Sequence, residues 1–422
     1  MLGQVFIPSI IHRCDLIICQ NPGEFTLQGT NTYLIGEELP YILLDTGDGI
    51  DEYIPLLESV IRDATATAQR TTPRGVNPLV SDIIISHRHD DHHAGLAAVL
   101  SLLYTLSSEM AEKKGSLPTD IRERDPYYPP RIHKLPSTVS RRKIPLFSAE
   151  AEGTTFGSTL QVISSQLSPM IFGHVPRDDS DTTIVAETPP LLQPLVHELV
   201  DNQILTTQSP IAPIQLKVLH TPGHTTDSIS ILLPSERAMF TADTVLGEGT
   251  AVFEDLAAYM NSLGRMLAEG RQLLSANKAD NYNISAEGKM RIYPGHGPVI
   301  EDGLQKLETY ISHRAHREAQ ILSLLPIATI PQSETQVSSS DKNSTTTTSN
   351  LNPATIGSIV RTIYAEYSPT VWPAAERVAW LHLEKLESEG EVVRISSSQA
   401  AAVASAPPQD AFRNTSWARI VE

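Results

Sequence analysis

One short run of residues constrains the fold of this chain more than any other feature of its sequence. Residues 87–92 read HRHDDH, so that three histidines lie beside aspartate within six positions. One serine separates the run from residues 83–85, a continuous isoleucine segment typical of a strand buried on both faces. Imidazoles this close repel one another when protonated and leave many polar atoms to satisfy. A bound metal ion resolves both problems, so the run predicts a metal site at a strand end.

A surface histidine tract, such as a tag, is the alternative interpretation of this run. Three further ligand-type residues argue against this alternative: His224, Asp243 and His296. Each lies at a predicted strand end, beside turn-forming residues or directly after the strand. Loops at strand ends are typical places for sites that a rigid sheet supports. Imidazole and carboxylate groups suit zinc, and also iron or manganese.

Apolar periodicity predicts a mixed α/β chain. Strands are expected near residues 32–36, 41–45, 83–85, 160–163, 215–219, 228–233 and 238–240, and helices near 51–70, 94–106, 253–269 and 302–324. Residues 107–150 and 165–212 are polar or rich in proline, and we interpret them as insertions, the first as a flexible lid or an excursion loop. Residues 131–143 within the first of these form a locally basic stretch.

The C-terminal part of the chain has a different character. Residues 326–351 include a serine- and threonine-rich run, which predicts a disordered linker. In residues 352–422, Asn352-Pro353 resembles a helix start, and two helical patterns followed by a strand predict a winged-helix-like module. Such modules bind nucleic acid or serve for packing and docking. Residues 396–408 are of low complexity, and residues 417–421 are predicted to form a last strand.

Charge and cysteine content narrow the functional classes. The formal charge of −17 disfavours a protein that wraps duplex DNA with a broad basic surface. Two cysteines, Cys14 and Cys19, cannot form a disulfide framework, which favours a reducing compartment. No segment is long and apolar enough to span a membrane. We therefore expect a cytoplasmic protein without a membrane partner.

The polar residues at the strand ends, taken in order, resemble the ordered motifs of the metallo-β-lactamase superfamily over residues 20–325. The resemblance implies a four-layered αβ/βα sandwich, with a catalytic domain at residues 1–325 and the site at the edge between two sheets. It implies seven metal ligands: His87, His89, Asp91, His92, His224, Asp243 and His296. By the same resemblance Asp91 and Asp243 are catalytic, Asp243 bridges two metal ions, and Asp45 supports the metal loop. His93 is expected to be an exposed neighbour.

Four further segments resemble one branch of that superfamily: residues 21–23, 26–33, 246–256 and 310–314. The branch contains fungal polyketide thioesterases that act on acyl carrier proteins, and animal mitochondrial lactamase-like endoribonucleases. Members of both groups can carry a helical module after the catalytic core, similar to residues 352–395.

The resemblance therefore predicts a hydrolase with two Zn²⁺ ions per chain, in which the two ions share a hydroxide that attacks the substrate. We favour hydrolysis of a polyketide thioester, with an acyl carrier protein or polyketide synthase of secondary metabolism as partner. A thiol leaves without a general acid because its pKa is near 8.5. Cleavage of single-stranded RNA is the alternative function, and a metal-binding scaffold without catalysis is a remote one.

Overall fold

A computed structural model of the chain describes residues 4–7, 14–68, 78–113, 129–136, 159, 196–207, 213–276, 288–328, 354–395 and 415–420. These residues divide into two compact units. The first unit contains the described residues up to Phe253 together with Ala258–Glu308, and the second contains Glu254–Ala257 and those from Thr309 onward. The division falls inside a helix, whereas the sequence suggested a boundary near residue 325.

The first unit contains a seven-stranded sheet whose strands lie side by side in chain order. They are β1 Gln4–Ile7, β2 Cys14–Ile18, β3 Asn31–Ile35, β4 Tyr41–Leu44, β5 Val80–Ile85, β6 Arg131–Lys134 and β7 Val196–Glu198. Pairing is antiparallel from β1 to β4 and parallel from β4 to β7. The buried β5 follows from its isoleucine run, which suits a strand covered on both faces.

A second sheet of five strands has the order β12-β11-β10-β9-β8. Its strands are β8 Ile204–Thr206, β9 Gln215–His220, β10 Ile229–Leu233, β11 Ala238–Ala242 and β12 Arg291–Pro294. Only β11 and β12 pair in parallel among these, and their carboxyl ends therefore lie side by side.

Helices cover the outer faces of the two sheets. Those of the first unit are α1 Tyr53–Ala68, α2 Asp90–His93, α3 Leu96–Lys113 and α4 Leu256–Ala276, and α5 Gly303–Leu324 begins in the same unit. On α1 the buried residues Tyr53, Leu57 and Ala64 recur at helical spacing and pack with α3 against one face of the first sheet.

The opposite face of the first sheet packs against the second sheet. Tyr33 and Ile84 lie in one apolar cluster with Val218 and Phe240 of the second sheet. On the outer face of the second sheet, Lys217 forms an ion pair of 2.7 Å with Glu269 of α4. The layers are therefore helix, sheet, sheet and helix, and the predicted four-layered αβ/βα sandwich is confirmed.

Both predicted insertions contain strands of these sheets, and the interpretation of the first as a loop is wrong for residues 131–134. Strand β6 lies within residues 107–150, where α3 also continues to Lys113, and β7 and β8 lie within residues 165–212. The charged ends of β6 hid it in the sequence, because Arg131 and Lys134 pair with the buried carboxylates of Asp82 and Asp227. The expected strand at residues 160–163 lies outside the described residues, and so do residues 114–128, 137–150, 165–195 and 208–212 of the two insertions.

The second unit contains a small sheet and two helices in addition to most of α5. Its elements are β13 Ile327–Ala328, β14 Ala354–Thr355, α6 Ile356–Ile363, α7 Trp372–Ser388, β15 Val392–Ile395 and β16 Ser416–Ile420. Strand β16 pairs with β13, β14 and β15, and Trp417 on it is fully buried. The predicted winged-helix-like arrangement of two helices and a wing is confirmed.

Sequence patterns predicted three local features of the second unit: a helix start, a linker and a low-complexity segment. The N-cap of α6 is Thr355, whose side chain accepts a hydrogen bond from the Ser358 backbone N–H, and it is not Asn352. The first residues of the predicted linker form β13, while residues 329–353 lie outside the described residues, as does the low-complexity segment 396–408. Among the described helices, none combines the length and apolar character that crossing a bilayer requires.

Candidate metal centre

The polar residues singled out in the sequence follow the carboxyl ends of strands from both sheets. Asp45 follows β4, and the run His87–His92 follows β5 and enters α2. In the second sheet, His224 follows β9, Asp243 follows β11, and His296 follows β12. Because the inner faces of the two sheets pack together, these strand ends meet at one edge of the sandwich.

One group of ligand-type atoms comes from His87, His89, His224 and Asp243. The Nδ1 atom of His89 lies 3.0 Å from Nε2 of His87 and 3.0 Å from Nε2 of His224. The two Nε2 atoms are 3.2 Å apart. Three imidazole nitrogens therefore converge on one point, and each ring meets its neighbours edge to face.

Hydrogen bonds on the far side of two rings fix which nitrogen carries the proton. Nδ1 of His224 donates to the Val252 carbonyl at 2.7 Å. The Ser86 hydroxyl donates its proton to Asp45 at 2.8 Å. The hydroxyl oxygen of Ser86 therefore accepts from Nδ1 of His87, which lies 3.0 Å away. The Nε2 atoms of both rings are then unprotonated, and their lone pairs face each other. This is the arrangement of metal-bound imidazoles.

A second group comprises Asp91, His92 and His296. Nε2 of His296 lies 3.3 Å from Oδ2 of Asp91, and Nε2 of His92 lies 3.4 Å from the same oxygen. Nδ1 of His92 donates to Oδ2 of Asp45 at 2.8 Å, and Nδ1 of His296 lies 3.4 Å from the Gly29 carbonyl. Both rings therefore direct Nε2 toward the carboxylate.

Asp243 lies between the two groups. Its Oδ2 is 3.2 Å from Nε2 of His296 and 3.6 Å from Nε2 of His224, and its Oδ1 is 3.3 Å from Nε2 of His92. Two buried atoms at this point, Oδ1 of Asp243 and Nε2 of His92, have no hydrogen-bond partner. Orphaned buried atoms beside converging lone pairs fit a pair of metal ions, one in each group, with Asp243 reaching both.

The electrostatics of the two groups differ. Burial, followed by the neighbouring His224, lowers the pKa of His89 to about 3, which leaves its imidazole neutral. At His296 burial opposes the charged form, but the carboxylates of Asp243 and Asp91 prevail and raise its pKa to about 10. In the absence of metal, the second group therefore holds protons that metal ions would displace.

Residues outside the two groups hold the ligand-type side chains in place, and sequence reasoning missed two of them, Thr30 and Ser86. The Thr30 hydroxyl donates to Oδ2 of Asp91 at 2.7 Å, and Asn31 donates to the carbonyls of Pro294 and Gly297 at 2.9 Å. Ser86 donates to both Asp45 oxygens, through its backbone N–H and its hydroxyl. Thr30 lies in a segment used only for the family resemblance, and Ser86 directly precedes the histidine run, which are the only signals the sequence offers.

The seven predicted ligands are brought together, and Asp45 lies behind them, bonded to His92. The expectation for His93 is wrong, because this residue is fully buried. Its Nε2 bonds to the Arg88 carbonyl at 3.0 Å and its Nδ1 to Thr159 at 3.2 Å. His93 lies on the side of α2 that faces the protein interior, a direction that adjacency in sequence does not reveal.

Comparison with protein families gives two matches. Residues 25–296 match the family model described as the metallo-beta-lactamase superfamily. Residues 355–401 match the model described as a beta-lactamase associated winged helix domain. Together these matches cover both units of the chain.

Individual relatives include proteins from animals and fungi. Beta-lactamase-like protein 2 homolog of Drosophila melanogaster is 31% identical over 397 residues, 93% of this chain and 94% of that protein. An atrochrysone carboxyl ACP thioesterase of Aspergillus novofumigatus is 28% identical over 319 residues, 76% of this chain and 65% of that protein. A thioesterase of the same description from Aspergillus terreus is 26% identical, with 76% and 65% covered.

Proposed function

This chain belongs to the metallo-β-lactamase superfamily of hydrolases, and we propose that it hydrolyses an acyl thioester carried by an acyl carrier protein, using two zinc ions. The observation that carries the proposal is the convergence of two ligand groups on Asp243 at the edge of the sandwich. Such a centre supports hydrolysis by water without a nucleophilic side chain.

The residues have distinct roles in this proposal. His87, His89 and His224 would hold one ion, Asp91, His92 and His296 would hold the other, and Asp243 would bind both. When bound, the two ions would supply an activated water and polarise the scissile carbonyl. Asp45 accepts from Nδ1 of His92 and so directs Nε2 of that ring toward the site of the metal, and Thr30 orients Asp91.

The leaving group favours a thioester over a phosphodiester. The imidazoles and carboxylates of the two groups would hold the metal ions and are then not available as general acids. A thiol with a pKa near 8.5 departs as a thiolate without protonation, whereas an alkoxide requires assistance. Relatives described as atrochrysone carboxyl ACP thioesterases match 76% of the chain, which supports the same substrate class.

A parallel assay tests the proposal. The zinc-loaded full chain is offered an acyl-carrier-protein thioester and, separately, a single-stranded RNA. We expect thioester hydrolysis that is lost in Asp243→Ala and retained in Asp51→Ala, because Asp51 is an exposed carboxylate outside both groups. RNA cleavage that depends on Asp243, without thioester hydrolysis, would instead establish the endoribonuclease function and overturn the proposal.

A further inference from the structure

A cavity of about 740 Å³ lies between the edge strands of the two sheets and contains none of the residues of the metal centre. Two imidazoles line it, His133 on β6 and His197 on β7, which are direct partners in the parallel pairing of these strands. We propose that this pair is a second, independent binding site for a transition-metal dication of the zinc, nickel or copper type.

His133 carries the first part of the argument. It is only 4% exposed, and its Nε2 lies 2.7 Å from Oδ1 of Asp82. The same carboxylate oxygen accepts from Nε of Arg131 at 2.8 Å, and the other accepts from the Ser81 hydroxyl at 2.6 Å. Asp82 is thus an acceptor throughout, so Nε2 of His133 is the donor and Nδ1 bears the lone pair.

No hydrogen bond accounts for the burial of the Nδ1 atom that bears this lone pair. Nδ1 of His133 is buried and has no hydrogen-bond partner. An imidazole that donates one N–H to a carboxylate and presents its other nitrogen unpartnered has the arrangement typical of a metal ligand. Asp82 would then fix the orientation of the ring and increase its basicity.

His197 supplies the second ligand. Its ring centroid lies 5.4 Å from that of His133, close to the 5.5 Å between His92 and His296 in the metal centre. Burial, followed by the nearby His133 and Arg131, lowers the pKa of His197, so this ring is neutral at pH 7 and able to bind metal. Two imidazoles favour zinc, nickel or copper over magnesium or calcium.

Zinc uptake at equilibrium tests the site. The full-length protein and its variants are dialysed against the same free zinc concentration, and bound zinc is measured by elemental analysis. We expect His197→Gln and His133→Gln each to bind about one zinc fewer per chain than the unmodified protein, since one remaining imidazole is not enough to hold the ion. His220→Gln is the matched control, because its imidazole is bonded to the Thr226 carbonyl outside the cavity.

The background in which the comparison is made separates this site from the metal centre. His89→Ala removes one ligand-type residue of the centre. In that background, we expect the added substitution His197→Gln still to lower the bound zinc by about one ion per chain. Equal zinc uptake with and without His197→Gln overturns the proposal, and Nδ1 of His133 is then satisfied by a water molecule. Because His197 is only half-buried, we expect His197→Gln to fold. This variant therefore tests the proposed site even if His133→Gln does not fold.

Discussion

At the scale of single residues, the centre is organised by side chains that are not themselves ligand-type members of either group. Asp45 adopts a left-handed backbone conformation with φ of 60°, which is uncommon for a residue other than glycine and directs its carboxylate toward Ser86 and His92. Strain of this kind persists only where the surroundings determine it. The residue therefore links the end of β4 to the orientation of one imidazole.

The first prediction concerns this link. Replacing Asp45 by Asn removes a charged acceptor from His92, and we expect metal affinity to fall about 10- to 100-fold. Competition with a chromophoric chelator measures the affinity, and Asp51→Asn, an exposed carboxylate, is expected to leave it unchanged. An unaltered affinity in Asp45→Asn would show that Ser86 alone suffices to hold the loop.

A second prediction follows from the pKa of His296, which is raised to about 10 without metal because the carboxylates of Asp243 and Asp91 outweigh its burial. At pH 7 this ring is therefore protonated until metal binds. We expect about one proton to be released per chain from His296 on loading, and metal affinity to fall as the pH falls. Calorimetric titration in buffers of different ionisation enthalpy measures the release, and heats independent of the buffer would contradict it.

At the scale of elements, loops after strands bring distant residues within contact distance. The turn after β12 is an example, since a Cβ at Gly295 would collide with Oδ1 of Asp243 and lie 3.1 Å from the His92 ring. Glycine is required there by close approach between two loops, because the groups of the centre leave no room for a methyl.

We therefore expect Gly295→Ala to lower hydrolytic activity about 100-fold by displacing Asp243, as small misplacements of reacting groups do. The matched control is Gly264→Ala on α4, where nothing lies within 4 Å of the added Cβ. Steady-state kinetics of the zinc-loaded variants make the comparison, and full activity in Gly295→Ala would show that the turn relaxes.

Strand β6 provides a prediction about stability. Lys134 is 6% exposed and pairs with Asp227, which is fully buried and also accepts from the Thr225 hydroxyl at 2.8 Å. Lys134→Met would leave the Asp227 carboxylate buried without its cation, at a cost of about 3–5 kcal/mol in the free energy of unfolding.

Urea denaturation measures this cost. Lys217→Met serves as the control, because the Lys217–Glu269 pair is partly exposed and its loss is expected to cost at most about 1 kcal/mol. Equal losses in the two variants would indicate that the Lys134–Asp227 pair contributes no more than a surface pair.

At the scale of the whole molecule, each compact unit has an apolar core of its own. In the second unit the core includes Ile321 of α5, Leu383 of α7 and Trp417 of β16. The indole of Trp417 is fully buried, and the guanidinium of Arg394 lies 4.9 Å from its ring centroid. The −17 charge of the chain therefore does not preclude local cationic contacts with aromatic rings.

We expect Trp417→Ala to destabilise the second unit by about 3–5 kcal/mol, because it removes a large buried side chain. Tyr367→Ala, at 60% exposure, is expected to change stability by less than about 0.5 kcal/mol. Unfolding followed by circular dichroism measures both changes, and elemental analysis checks that the metal content is unaltered. A Trp417→Ala chain as stable as Tyr367→Ala would contradict the assigned core.

Local patterns in the sequence predicted a mixed α/β chain and a metal site after a buried strand, because strand periodicity and ligand chemistry are both visible in short segments. Residues 87–92 and the strand before them show this directly. The four-layered sandwich and the set of seven ligands came from the family resemblance. The short strand β6 was missed because its charged ends are stabilised only by Asp82 and Asp227, which are distant in sequence. Periodicity cannot register a pairing between charges that folding alone brings together.

The sequence by itself thus predicted the kind of centre, since histidine and aspartate after buried strands favour metal binding. Only the tertiary structure decided which atoms face one another. It directs His93 inward, turns Asp45 toward His92, and sets His133 beside His197 across paired strands. These outcomes depend on strand order and on backbone direction at each strand end, which arise from packing over the whole unit and not from any one segment.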